Sequence, residues 1–166
     1  GALLRAAMAI FRRNVGPGYT NIAFAGAAVT AAIGELLDRP EFIEYGRRRF
    51  ENIIEHTEYH GGINEYNSPG YTFISLQWCE WTHQMVEDER VLELAEQLRV
   101  MVWEMYADHF HPGTGQLAGP HARAYSNWLR PDLVGQLRVR TGVDIDSRMG
   151  DAPGEPTPSR LLSYVE

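Results

Sequence analysis

The chain has 166 residues, of which 44% are hydrophobic and 22% are charged, and its formal net charge is −7. The length predicts a single domain with a sizeable core, and the composition excludes general disorder. The acidic balance argues against nucleic-acid binding, which needs a basic surface, and no apolar run approaches the roughly 20 residues of a membrane-spanning helix.

Two helices are predicted in the first 37 residues, because apolar residues recur there every three or four positions. The buried face of the first helix is predicted to comprise Leu4, Met8, Phe11 and Val15. That of the second is predicted to comprise Ile22, Gly26, Val29, Ile33 and Leu36. Many alanines and glycines in the second helix favour close packing.

Three more helices follow with short connections. Pro40 suits the first turn of the third helix, which ends at Gly61. Ser68 and Pro69 are predicted to be the N-cap and first turn of the fourth, and Asp88 is predicted to cap the fifth. The inward residues of the third are predicted to be Phe42, Phe50, Ile53 and Ile54; of the fourth, Ile74, Trp78, Trp81 and Met85; and of the fifth, Val91, Leu94, Leu98, Val102 and Met105. Cys79, the single cysteine, excludes an internal disulfide and is predicted to lie in the core.

The pattern changes after His109, where glycines and prolines predict a long loop through Asn127. Prolines beyond Gly150 indicate an extended tail. We therefore predict a helical-hairpin domain over residues 1–142 and an extended tail or linker over 143–166. No signal peptide is visible, and the cellular compartment stays open.

A short recurrence predicts the architecture. Pro-Gly-Tyr-Thr at 17–20 returns at 69–72, which favours a helical-hairpin repeat of about 50 residues. Antiparallel packing of five helices would bring three polar, glycine-rich loops, 16–19, 61–68 and 111–127, to one face. We expect this face to be the functional surface of the protein.

Two of these loops carry the candidate chemistry. Asn64, Glu65, Tyr66 and Asn67 precede the fourth helix, and Tyr71 lies in its first turn. His121, Arg123 and Tyr125 alternate, so an extended backbone would aim them in one direction. Asn and Arg can neutralise a carboxylate, while His and Tyr can transfer protons.

The segments Asn-Glu-Tyr-Asn-Ser-Pro-Gly-Tyr at 64–71 and Gly-Pro-His-Ala-Arg-Ala-Tyr at 119–125 resemble those of the α/α-toroid polysaccharide lyases, in the heparinase II/III-like and alginate-lyase-like group. The resemblance covers these loops and the helical rhythm. It implies an all-α fold of antiparallel helical hairpins, a partial or short (α/α) toroid, followed beyond this chain by a β-rich domain.

The same resemblance implies cleavage of a uronate-containing glycan by β-elimination. Asn67 would neutralise the uronate carboxylate, and His121 would act as base. Tyr125 or Tyr71 would act as acid or as a combined base and acid, and Arg123 would anchor the substrate. Asn64, Glu65, Tyr66 and Trp128 complete the expected binding set, with an acidic polysaccharide or oligosaccharide as partner and no cofactor, nucleic acid or membrane.

Other interpretations stay open. Glu65, paired with Glu104 or Asp108, suits a glycoside hydrolase of the helical-toroid type. A non-catalytic helical domain that binds a glycan or a protein fits the same residues. Asn67 and Ser68 are also ordinary capping residues, and His121 with Arg123 could bind carbonyls at the end of the fifth helix.

Histidine spacing does not predict a metal site. His56 and His60 are four residues apart, but Glu58 lies on another helix face, so the zincin pattern is missing. Asp108, His109, His111 and His121 show no recognised ligand spacing. We expect no metal.

Overall fold

The computed structural model describes residues 1–111 and 113–141, and this part of the chain is predominantly helical. Its six helices are α1 (Ala2–Arg13), α2 (Thr20–Leu36), α3 (Pro40–His60), α4 (Tyr71–Met85), α5 (Glu89–His109) and α6 (Pro131–Thr141). Two short strands, β1 (Phe110–His111) and β2 (Gln116–Leu117), pair in antiparallel fashion between α5 and α6. The predicted all-α class is therefore confirmed.

The four central helices form a bundle. α2 packs against α3 and α4, and α5 packs against the same two helices, so α2 and α5 lie diagonally opposite. α1 covers α2 and touches α3, and α6 lies on α5. One large hydrophobic core fills the bundle, while a smaller cluster of Ala7, Ile33 and Phe42 lies beneath α1.

Side-chain contacts give the directions of the helices. Glu35, near the end of α2, accepts the backbone N–H of Asp88 just after α4 (2.7 Å). At the other end, the N–H of Asn21 in α2 donates to Glu65 just before α4 (2.9 Å). α2 and α4 are therefore parallel, and each forms an antiparallel hairpin with the helix that follows it.

This arrangement relates the two Pro-Gly-Tyr-Thr segments. Thr20 begins α2 and Thr72 lies in the first turn of α4, and both are 1% exposed. The recurrence thus marks the starts of two neighbouring parallel helices, each of which opens a hairpin. Bundles, solenoids and toroids share two stacked hairpins, so the toroid stays a prediction.

α2 is buried on most of its circumference, whereas a single buried face was predicted. Its alanines and glycines let α3 approach closely: a Cβ added to Gly46 of α3 would lie 2.8 Å from the Cβ of Ala31 and 3.0 Å from the carbonyl oxygen of Ala27. Ile22 and Leu36, expected to be inside, are exposed, as are Met8 and Phe11 of α1. Small residues take the inward positions here because they permit close helix contact.

The predicted buried face of α4 is wrong for a related reason. The buried side is composed of small or polar residues and one leucine: Thr72, Ser75, Leu76, Cys79 and Thr82. The Thr82 hydroxyl donates to the carbonyl oxygen of Trp78 (2.7 Å), so its burial leaves no hydroxyl unpaired. Ile74, Trp81 and Met85 are instead exposed, and Trp78 is half-buried.

Helix boundaries are closer to expectation. Asp88 caps α5 by accepting the N–H of Val91 (2.9 Å), and Gly61 ends α3 at a φ of 70°. α4 begins at Tyr71 rather than at Pro69, although the Ser68 hydroxyl accepts the N–H of Tyr71 (3.2 Å). α6 was not predicted. The tail predicted over 143–166 lies outside the described residues.

None of the helices in the described part of the chain combines the length and apolar content that crossing a bilayer requires.

Candidate functional site

The loops after α1, α3 and α5 meet at one end of the bundle. Glu65 is central to this contact, since its side chain is only 2% exposed. One carboxylate oxygen accepts the N–H of Asn21 (2.9 Å), and the other lies 3.3 Å from Nη1 of Arg123. Burial raises the pKa of Glu65, while the Asn21 N–H and the Arg123 charge oppose that rise. Glu65 therefore joins three segments and is shielded from solvent.

Arg123 lies over two tyrosine rings. Its guanidinium carbon is 5.1 Å from the ring centre of Tyr19 and 5.0 Å from that of Tyr71, within the range of cation–π attraction. Its side chain is 48% exposed, so part of the guanidinium remains accessible to a ligand. Tyr19 and Tyr71 come from the two Pro-Gly-Tyr-Thr segments, so the starts of α2 and α4 supply equivalent rings.

Tyr125 extends this aromatic cluster. Its ring centre lies 5.7 Å from that of Tyr71, and the residue is 93% exposed. The hydrogen bond to Tyr125, helped by burial, raises the pKa of Tyr71. The Tyr71 phenol therefore stays protonated at neutral pH and can donate a proton.

The backbone of 121–125 is not extended, so that part of the prediction is wrong. Residues 122 and 123 form a turn, and Arg123 has a φ of 52°. A left-handed conformation is uncommon for arginine and costs of order 1–3 kcal/mol. It directs Arg123 to Glu65 and the two tyrosines, whereas His121 contacts Asn67.

Asn67 holds this second loop in place. Its side-chain N–H groups donate to the carbonyl oxygens of Ala118 and Pro120, the latter at 3.1 Å. Its side chain is buried, and its own φ of 52° suits asparagine. Because both side-chain N–H groups are engaged, Asn67 has no donor left for a substrate carboxylate. This placement does not fit the carboxylate-binding role predicted for it.

His121 has a defined tautomer. Its Nδ1 lies 2.7 Å from the carbonyl oxygen of Asn67, which can only accept, so Nδ1 carries the hydrogen. The lone pair of the neutral ring is therefore on Nε2. The ring is half-buried, and the Ala122 N–H donates to the Tyr66 carbonyl oxygen (3.0 Å) beside it. This arrangement is suited to a general base.

A tyrosine–histidine pair was not predicted. The Tyr66 hydroxyl donates to Nε2 of His109, whose Nδ1 lies 2.7 Å from the carbonyl oxygen of Met105. The rings pack edge to face, with centres 4.8 Å apart. The end of α5 already placed His109 at this face, but only the fold brings it to Tyr66. The carbonyl orients the imidazole so that it can accept the phenolic proton.

Asn64 and Trp128 lie farther out. The Asn64 Oδ1 is 2.9 Å from Nε2 of His56, and Asn64 itself is exposed. The His56 ring packs on that of His60, with centres 4.3 Å apart. Trp128 is half-buried, and its backbone N–H donates to the Ser126 hydroxyl (3.2 Å). Within the described residues the structure gives no contact between its ring and the tyrosines.

No group of three or more His, Cys, Asp or Glu side chains in the described segments, 1–111 and 113–141, is arranged to hold a metal ion. The candidate chemistry at this end of the bundle comes instead from phenols, imidazoles and the Arg123 guanidinium.

Comparison with known proteins identifies the family of the chain. Neither curated proteins nor solved structures gave a match to the chain. A family model described as a domain of unknown function, DUF8769, matches residues 1–133. The match covers most of the chain, including both loops of the candidate site up to Trp128. The chain therefore belongs to the DUF8769 family.

Proposed function

We propose that the protein processes a uronate-containing glycan by β-elimination. The observation that carries the proposal is the hydrogen bond from His121 Nδ1 to the Asn67 carbonyl oxygen, which leaves Nε2 free to accept a proton. Arg123 and Tyr125 lie on the same loop as His121, and the Tyr71 ring contacts both of them. A base, an accessible cation and a protonated phenol are the three groups that this reaction needs.

In the proposed reaction the substrate carboxylate pairs with Arg123, which takes the role first predicted for Asn67. The positive charge acidifies the hydrogen on the carbon next to the carboxylate. His121 Nε2 removes that proton, a carbon–carbon double bond forms, and the bond to the glycosidic oxygen breaks. Tyr71, whose pKa is raised by its hydrogen bond to Tyr125 and by burial, gives a proton to the departing oxygen.

The exposed tyrosines support sugar binding as well. Tyr125 offers an accessible ring, and aromatic rings stack on the apolar faces of sugars. The same observation favours the second candidate, a helical domain that binds a glycan without cleaving it. The contacts of Glu65 do not favour the hydrolase that would use it, because its carboxylate is shielded from solvent and is already bound to Asn21 and Arg123.

The test is incubation with alginate, pectin and glycosaminoglycans while ultraviolet absorbance follows the unsaturated product. His121→Asn is the informative variant, since an asparagine amide can keep the hydrogen bond to Asn67 but cannot act as base. We expect it to lower the rate at least about 100-fold, in line with the contribution of a general base. His111→Asn is the matched control and should keep full activity.

Two results would separate the candidates. Product formation that survives His121→Asn would remove His121 from the mechanism. Glycan binding without any unsaturated product would favour the non-catalytic binding domain.

A further inference from the structure

Arg49 of α3 is a buried cation that has no counter-ion among the described residues. It is 6% exposed, and it donates to the Asn14 side-chain oxygen (3.2 Å), the Tyr45 hydroxyl (3.0 Å) and the Val15 carbonyl oxygen (2.7 Å). All three partners are neutral. Its Nε–H has no hydrogen-bond partner in the described part of the chain. Because arginine stays protonated in proteins, the positive charge remains at this site.

The hydrogen bonds that Arg49 makes to the described residues include none to a carboxylate. α2 presents Gly26, where an added Cβ would lie 3.4 Å from Nη2 and 3.5 Å from Nε of Arg49. α1 presents its C-terminal end, whose carbonyl groups carry only a partial negative charge. Among the described residues Arg49 has no ion pair. A buried charge that is compensated only by dipoles is unfavourable, so an anion nearby would lower the free energy.

A small cavity lies beside Arg49. Its volume is about 80 Å³, well below the roughly 300–1,000 Å³ of pockets that hold larger organic ligands. Its lining contains both polar and apolar side chains. Arg49, Asn14 and Asn52 provide polar groups, while Val15, Ala23 and Ile53 provide apolar surface. A short carboxylate matches this division, with its oxygens towards the guanidinium and amides and its carbon atoms against the apolar wall.

We propose that this cavity binds a small carboxylate anion, of the size of formate or acetate. The site uses none of the residues assigned to proton transfer, so it is independent of the proposed lyase function. Its occupancy would join the end of α1 to α2 and α3 and stabilise the folded chain.

The test is thermal unfolding of the whole chain in sodium acetate against sodium chloride at equal ionic strength and pH 7. Acetate should raise the Tm in a saturable way, by about 3 °C or more at a tenfold excess over its Kd. Arg49→Met should abolish the rise, whereas Arg48→Met, at an exposed position of the same helix, should keep it. Equal Tm values in acetate and chloride for the unaltered chain would overturn the proposal.

A second variant decides the matter should Arg49→Met fail to fold. Asn52 lies three residues after Arg49 on α3, so Asn52→Asp puts a carboxylate within reach of the guanidinium. We expect this variant to unfold at a higher Tm than the unaltered chain in chloride, with at least a tenfold weaker response to acetate. An undiminished acetate response would count against the site. Glucuronate, which carries a carboxylate on a sugar, should give no rise, and protection by it that depends on Arg49 would overturn the small-anion assignment.

Discussion

Glu65 offers a direct test of how the three loops are held together. Glu65→Ala removes the acceptor of the Asn21 N–H, and leaving a buried donor unpaired costs about 1–3 kcal/mol. The ion pair with half-exposed Arg123 adds only about 0.2–1 kcal/mol. With the cavity left by the side chain, we expect a loss of about 2–4 kcal/mol in the free energy of unfolding. Urea denaturation followed by tryptophan fluorescence measures it.

Glu65→Gln separates the hydrogen bond from the charge. The amide oxygen can still accept the Asn21 N–H, so only the weak ion pair is lost, and we expect a change of about 1 kcal/mol or less. The reasoning is refuted if Glu65→Gln is as destabilising as Glu65→Ala. It is also refuted if Glu65→Ala changes the free energy of unfolding by less than about 0.5 kcal/mol, the range of ordinary surface substitutions.

The charge can be probed by pH. Burial raises the pKa of Glu65 in the folded state, so the folded protein takes up a proton at a higher pH than the unfolded chain does. Stability from this group is therefore gained as the pH falls through the folded-state pKa and is complete below the unfolded-state value. The free energy of unfolding of the unaltered chain, relative to Glu65→Gln, should increase as the pH is lowered from 7. A decrease over that range would show that the Arg123 charge outweighs burial.

Two further predictions concern packing and loop order. Gly46→Ala should destabilise the protein by about 1–3 kcal/mol, because the new Cβ would lie 2.8 Å from an atom of α2. The control Gly135→Ala, whose new Cβ would have no atom within 4 Å, should be neutral or stabilise the protein by up to about 1 kcal/mol. Equal effects of the two variants in urea denaturation would contradict the close α2–α3 contact. Asn67→Ala removes both donors that hold the carbonyls of Ala118 and Pro120, so the amide hydrogen of Ala122 should exchange faster, and unchanged exchange would show that the loop is held by other contacts.

The loop cluster could be predicted in outline from local rules. The end of α3 at Gly61 can be predicted because glycine tolerates a positive φ. The start of α5 after Asp88 can be predicted because an aspartate oxygen accepts the first free N–H groups of a helix. Short connections force antiparallel hairpins. These rules together placed the loops of Glu65 and Arg123 at one end.

The side chains within that cluster were harder to predict. The resemblance to the lyases implies that Asn67 binds a carboxylate, yet its side-chain N–H groups donate to carbonyl oxygens 51 and 53 residues later in the chain. The Tyr66–His109 contact and the left-handed Arg123 depend equally on segments that are remote in the chain. The spacing of residues along the chain does not indicate which polar side chain will bind a backbone carbonyl from a distant segment.

The sequence by itself determined the helical class, the hairpin order and the end of the bundle where polar loops gather, because helix periodicity and capping act over a few residues. The tertiary structure alone decided which face of α4 is buried and what each polar side chain contacts. Apolar spacing pointed to Trp81 as an inward residue, but the small residues of α2 favour close approach, and so Cys79 and Thr82 face the core instead. Packing is a property of two surfaces, and a single helix specifies only one of them.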